Sequence, residues 1–331
     1  MKEKSPQPNP AYKSGDFALT GWNGASTLLG VVVWLGAFAL SVADPARLDS
    51  AELLLLLALF VVTPLSLALV APTDPNDHRA TVYRAAMLAQ PVAALLAAAS
   101  FAVPGGLLAA ALVLPWLLFT GLVALYGFMR LVGSRFSRAD EVCIAFGLLY
   151  LPIGAAWLIL ARFGARPLGF AEIIVFLTAI HFHFIPLTAL VLTGLVGRRL
   201  AEVRPSAWPI YRVAALGVIV GPALVAGGIT FSLLLETVAA VVLAASLVTV
   251  GALTLVYILP ATHPRVGRGL LVASSFALFV GMSFAVAYAL GRWTGAWTLT
   301  IPRMIQGHGW VNALGFGLCG LLAWRLVNAK P

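Results

Sequence analysis

Charge is scarce in this chain. Only 10% of its 331 residues are Asp, Glu, Lys or Arg, whereas 61% are hydrophobic, and the mean hydropathy is +0.98. A soluble domain is about 25% charged and about 45–50% apolar. A chain this poor in polar residues cannot clothe a core in a water-facing surface, so most of its surface meets the lipid bilayer. Cysteine is also scarce. Cys143 and Cys319 are the only two, which excludes a disulfide framework, and both read as ordinary buried thiols. A cleaved signal peptide is not expected. Residues 1–20 are polar and proline-bearing, and the apolar run after them is too long for a signal h-region of about 7–15 residues.

What is present is a series of long apolar runs. A membrane-spanning helix needs about 20 mostly apolar residues. Ten runs qualify: 21–42, 51–72, 84–103, 106–130, 141–163, 170–197, 208–231, 235–260, 269–290 and 304–325. Pro104-Gly105-Gly106 marks a tight turn between the third and fourth, and Ser232 lies between the seventh and eighth. No loop has room for a soluble domain. The expected fold is an all-α polytopic bundle of about ten transmembrane helices. It comprises a cytosolic tail (1–20), one transmembrane domain (21–327) and a short cytosolic C-terminal tail (328–331).

The net charge of +9 sets the expected orientation. If both termini are cytosolic, only Arg47, Arg162, Arg166, Arg292 and Arg303 of the 21 Lys and Arg fall outside, leaving 16 inside. That asymmetry follows the positive-inside rule. The basic residues are scattered among short loops rather than gathered in a stripe, so nucleic acid is not an expected partner. Trp22, Trp208 and Trp324 at inner ends, and Trp293 and Trp297 at outer ends, fit aromatic belts. A five-plus-five inverted repeat would suit ten helices, but no residue-level similarity between such halves is visible.

No Asp, Glu, Lys or Arg falls in the central part of a span. The ionisable groups at membrane depth are His181, His183 and His308, and intramembrane ionisable groups are functional candidates by default. In a regular helix, residues i and i+2 diverge by about 200°. Pro186 lacks an N–H and clashes with the carbonyl of Phe182. The expected kink therefore falls between His181 and His183 and turns both rings inward. In the tenth span, His308, Asn312, Gly315 and Cys319 share a face, and glycines at 307, 309, 315 and 317 permit close helix approach. His181 and His308 stand at equal depth in the outer half of the bilayer, each the same distance before an inner-boundary arginine, Arg198 and Arg325.

His181, His183, His308 and Asn312 are the expected catalytic residues. The three histidines are also the expected metal ligands, for Zn, Fe or Cu. Thr178, Glu172 and Trp310 are expected substrate contacts, with Glu172 at the outer interface guarding an entrance. His78 and His263 read as surface residues, with Asp77 or Thr73 capping the third helix.

The stretches His181-Phe182-His183-Phe184, His308-Gly309 and Asn312-Ala313-Leu314-Gly315-Phe316-Gly317 resemble the YndJ-like family of bacterial membrane proteins. The resemblance implies a multi-pass protein of the bacterial cytoplasmic membrane. Some descriptions of the family call it a transporter, and it supplies no settled activity. Four readings of function follow from the site. The first is an enzyme acting on an apolar, lipid- or isoprenoid-like small molecule through its histidines. The others are a transporter or exporter, a bis-histidine haem protein with Arg292 and Arg303 at the propionates, and a structural protein. Histidines concentrated at one depth, with no charged path across the membrane, place the enzyme ahead of the transporter. Di-iron chemistry is excluded by too few histidines.

Overall fold

The computed structural model describes residues 22–44, 48–74 and 76–328. The expectations for the two tails, for Arg47 and for the Trp22 side chain lie outside the described residues or side chains. Among the described residues, ten helices are long and apolar enough to cross a membrane. They are α1 (Trp22–Ala43), α2 (Ser50–Leu69), α3 (His78–Ala102), α4 (Leu107–Gly133) and α5 (Ala139–Phe163), followed by α6 (Glu172–Val203), α7 (Pro205–Phe231), α8 (Leu233–Ala261), α9 (Arg265–Thr294) and α10 (Ile301–Val327). The described residues form no strand. Several helices start earlier than their apolar runs. α3 begins at His78 and takes in Arg79 and Arg84, and α9 begins at Arg265. Long basic side chains extend a span's ends by snorkelling to the interface. Asp77 caps α3, its carboxylate accepting from the Arg79 backbone N–H at 2.9 Å. Hydrogen bonding from the Arg79 side chain holds that carboxyl below its usual range.

Ten crossings put the start of α1 and the end of α10 on one face, here the terminal face. The α3–α4, α5–α6, α7–α8 and α9–α10 turns lie on the other, the distal face. α2 runs through the middle of the bundle, and every residue from Leu53 to Val70 is buried. A helix that is apolar all round belongs at such a centre. Pro64 shapes it. The Thr63 N–H bonds Ala58 O, five residues back, in a wide π turn. In that register Pro64 would serve Leu59 O, and it has no N–H to give. Gln90 of α3 fills the gap, donating Nε2–H to Leu59 O at 2.9 Å while accepting from Ser26 of α1 at 2.9 Å. One amide thus ties α1, α2 and α3 together without leaving a buried polar group unmet.

The remaining eight helices form two successive four-helix units, α3–α6 and α7–α10. First helices start at 78 and 205, second at 107 and 233, and third at 139 and 265. His181 and His308 lie in the fourth, so the offset stays near 127 residues throughout. Tyr83-Arg84 and Tyr211-Arg212 stand near the starts of the two first helices. The units run in the same direction, four plus four, unlike the inverted five-plus-five arrangement considered from helix number alone. Within each unit, consecutive helices pack as antiparallel neighbours.

Charges at the helix ends are paired. On the terminal face, Arg130 donates to Glu141 at 2.6 Å, to Tyr126 Oη at 2.9 Å and to Val70 O at 3.0 Å. Arg198 binds the same Glu141 at 3.0 Å. This cluster joins α2, α4, α5 and α6. On the distal face, buried Glu236 of α8 takes Arg292 of α9 on both oxygens, at 2.7 and 2.8 Å. Arg162 at the end of α5 donates to Ser100 O and Val103 O at 2.7 and 3.0 Å, tying down the α3–α4 turn.

Candidate functional site

The two histidines of α6 part company. Residues Glu172–Phe184 remain a regular α-helix, and the Ile185 N–H still reaches His181 O. The wide turn covers Ile185–Leu190, and by Val191 the bond reaches Pro186 O, five residues back. Pro186 therefore disturbs the helix after both histidines, not between them. The expectation that both rings face one pocket is corrected: the regular α-helix keeps them about 200° apart.

His183 turns inward and is fully buried. Its Nδ1–H donates to Ala179 O at 2.7 Å, and its Nε2 accepts from Trp116 Nε1–H of α4 at 2.8 Å. Both ring nitrogens are used, so it has no lone pair left for a metal or a substrate. Gly154 of α5 leaves room for this arrangement. A Cβ there would stand 2.8 Å from His183 Nδ1 and 2.9 Å from the Phe182 backbone.

His181 faces the other way and is exposed. Its Nδ1–H donates to Leu177 O at 2.7 Å. Opposite it lies His308 of α10, with ring centroids 6.1 Å apart and planes inclined at 27°. His308 Nδ1–H donates to Gly281 O of α9 at 2.9 Å. Each ring therefore has its Nδ1 proton fixed on a backbone carbonyl. In the neutral form each then offers its Nε2 lone pair. Neither Nε2 has a partner among the described residues.

α10 is shaped for this contact. Ile305–Gly309 and Val311–Leu318 are wide π turns, with the Trp310 N–H on Ile305 O and the Cys319 N–H on Leu314 O. Such turns are rare and concentrate at functional sites. Glycines supply the close approaches. A Cβ on Gly307 would meet the Phe284 ring, and one on Gly309 would stand 3.1 Å from Leu54 of α2. Asn312 donates to His308 O at 2.8 Å and packs its amide on Gly281, leaving its buried Oδ1 without a partner.

The other expected site residues divide. Thr178 lies one turn distal to His181 and is half-buried, its hydroxyl donating to Ile174 O at 2.8 Å. Trp310 packs on Trp34 of α1, with centroids 6.5 Å apart, and so faces α1. Glu172 is exposed at the distal start of α6 and ion-paired with Arg166. The three-histidine metal set is not assembled. Among the described residues, no group of three or more His, Cys, Asp or Glu is placed to hold a metal ion. Arg292, expected at a haem propionate, is held by Glu236 instead. Trp116 and Gly281 were not expected as partners. A tryptophan in mid-span, away from the interfacial belts, was the available signal for the first. A carbonyl acceptor leaves no signal in a sequence.

The surroundings differ above and below the pair. Towards the distal face, Ile174, Leu177, Phe284 and Ile305 are half-buried. Towards the terminal face, every residue of α6 from Pro186 to Gly197 is buried. The two units meet there. Gly317 fits Thr188, Gly320 fits Leu192, and Gly197 lies against the Tyr211 ring. Arg199 donates to Ala261 O at 3.2 Å, and Arg204 lies 5.6 Å from the Tyr257 ring centroid. Midway, Tyr150 donates to Ile219 O at 3.1 Å.

A model of the family described as YndJ-like protein matches residues 53–316. A Bacillus subtilis (strain 168) protein named uncharacterized membrane protein YndJ is 30% identical over 302 residues, covering 91% of this chain and 53% of its own length. The chain thus spans about half the length of that relative. No solved structure matches.

Proposed function

The chain belongs to the YndJ-like family of membrane proteins, and from that premise we propose that it is a transporter that moves a small apolar molecule across the bacterial cytoplasmic membrane. The observation that carries this reading is the position of the histidine pair. His181 and His308 occupy the fourth helices of two like-oriented four-helix units, and both helices contain wide turns beside the pair. Transporters built from parallel repeats hold substrate at the repeat interface, on interrupted helices; here the pair lies on the distal side of the membrane centre.

The packing supports one state of such a cycle. The units are joined from the pair to the terminal face, whereas the residues flanking the pair on its distal side are only half-buried, as an approach from that face requires. With the termini cytosolic, the distal face is external and the chain is in an outward-open state. Alternating access then requires the Arg199–Ala261 and Thr188–Gly317 contacts to part while the distal ends close. This reverses the order expected from the sequence, where histidines at one depth with no charged path across the membrane placed an enzyme first. The enzyme reading keeps one support: two Nε2 lone pairs can serve as general bases.

Untargeted mass spectrometry distinguishes the two. Cells expressing the chain and cells expressing His181→Ala are compared for compounds inside and outside. A compound redistributed without change of mass supports transport. A histidine-dependent change of mass contradicts transport and supports the enzyme.

A further inference from the structure

We propose that the ligand held at the Nε2 edges of His181 and His308 is a neutral, mainly apolar molecule carrying a hydroxyl group; the proposal rests on the transport reading for its location and names the class of substrate. The polarity of the site carries it. Both Nδ1 protons are committed to backbone carbonyls, Leu177 O at 2.7 Å and Gly281 O at 2.9 Å. Two neutral rings held this way present acceptors only. The donors nearby are committed as well. The Thr178 hydroxyl donates to Ile174 O, and the Asn312 Nδ2 donates to His308 O at 2.8 Å and lies 3.3 Å from His308 Nδ1, on that side of the ring rather than at the Nε2 edge. A carboxylate or phosphate placed at the Nε2 edges meets two lone pairs and no proton from either ring.

A cation is disfavoured by the opposite shortage. The acids nearest the distal ends of α6 and α2 are already engaged. Glu172 is paired with Arg166, and Glu52 accepts the Asp49 backbone N–H at 2.8 Å in a capping box. An ammonium ion at the pair would leave water with no counter-charge, which is costly at membrane depth. A hydroxyl satisfies one Nε2 without bringing charge. Half-buried Ile174, Leu177, Phe284 and Ile305 flank the pair and suit a hydrocarbon body.

The test uses the full chain in nanodiscs with radiolabelled dodecan-1-ol as probe, and lipid-only discs as the blank. Saturable binding is expected. Dodecyl methyl ether, which lacks the donor, should compete at least about tenfold more weakly, since it leaves a site acceptor unpaired. Dodecanoate and dodecylammonium should compete no better than the ether. His181→Phe and His308→Phe should each lose the saturable component, while Trp116→Phe, which alters only the His183 side of α6, keeps it. Equal competition by ether and alcohol, or stronger competition by the acid or the amine, overturns the proposal. Binding is read at equilibrium without flux. Selective binding with no redistribution in cells would therefore sink the transport reading alone, and redistribution with ether equal to alcohol would sink this one alone.

Discussion

α6 and α10 occupy the same place in their two units, yet they hold their histidines by different means. α6 is interrupted by a proline, and His181 is anchored within its own helix, on Leu177 O. α10 has no proline in its wide turns, and His308 is anchored on a neighbouring helix, on Gly281 O of α9. The α6 side is thus set by local chemistry and the α10 side by packing. A local anchor survives when helices move apart, whereas a tertiary one does not. Each anchor lies within a single unit, one inside α6 and the other between α9 and α10, so both persist while the units move against each other.

The largest effect expected is loss of the pair itself. His181→Ala and His308→Ala should each reduce redistribution of the transported compound about 100-fold or more, as expected when a site built on hydrogen bonding loses its partner. Membrane insertion should be unaffected, because alanine makes either span more apolar. Flux per unit of inserted protein is the measurement. Equal loss on both sides would show that the different anchors serve one site.

Two glycine substitutions sharpen the contrast. A Cβ on Gly281 would fall 2.2 Å from Asn312 Nδ2, so the amide must swing away from His308. Gly281→Ala should therefore lower flux about 10-fold or more, the scale of losing a group that orients a functional histidine. Gly154→Ala crowds backbone around buried His183 instead and should cost about 1–3 kcal/mol of stability. Flux per folded molecule should hardly change. Thermal melts in detergent paired with flux assays separate the two, and a reversed pattern would move the site to His183.

Trp116→Phe should be milder. It leaves buried His183 Nε2 without its donor, a cost of about 1–3 kcal/mol, with flux per folded molecule unchanged. Glu172→Gln should have the smallest effect. It removes an exposed ion pair with Arg166, an interaction typically worth about 0–1 kcal/mol. A large flux defect from Glu172→Gln would place the site at the distal surface.

These residues also show what could be read without coordinates. The ten spans were legible because each is an apolar run long enough to cross a membrane. The equal depth of His181 and His308 was legible from their matched distances to Arg198 and Arg325. That match belongs to a four-plus-four parallel repeat, and a search for inverted halves could not find it. The first two helices precede the units, and most positions between the landmarks are interchangeable apolar residues. The place of His183 is not legible, because a proline in a sequence does not say on which side of it the helix yields. The wide turn absorbs the missing N–H after both histidines, at Ile185–Leu190. Pairings such as Gln90 with Leu59 O, Trp116 with His183 and Glu236 with Arg292 join residues 31, 67 and 56 positions apart. Such pairings depend on which helices are neighbours, and hydropathy carries no information about adjacency.

The account turns on α6 being open on one side of the histidine pair and sealed on the other. Its most direct test is thiol accessibility from outside intact cells. In a background carrying Cys143→Ser and Cys319→Ser, Thr178→Cys and Thr193→Cys each place a single cysteine on α6, one on either side of the pair. Thr178 is half-buried beside His181, and Thr193 is buried at 1% exposure in the sealed half. A membrane-impermeant maleimide should label Thr178→Cys and leave Thr193→Cys untouched. Labelling of Thr193→Cys with protection of Thr178→Cys would contradict an outward-open site at the histidine pair.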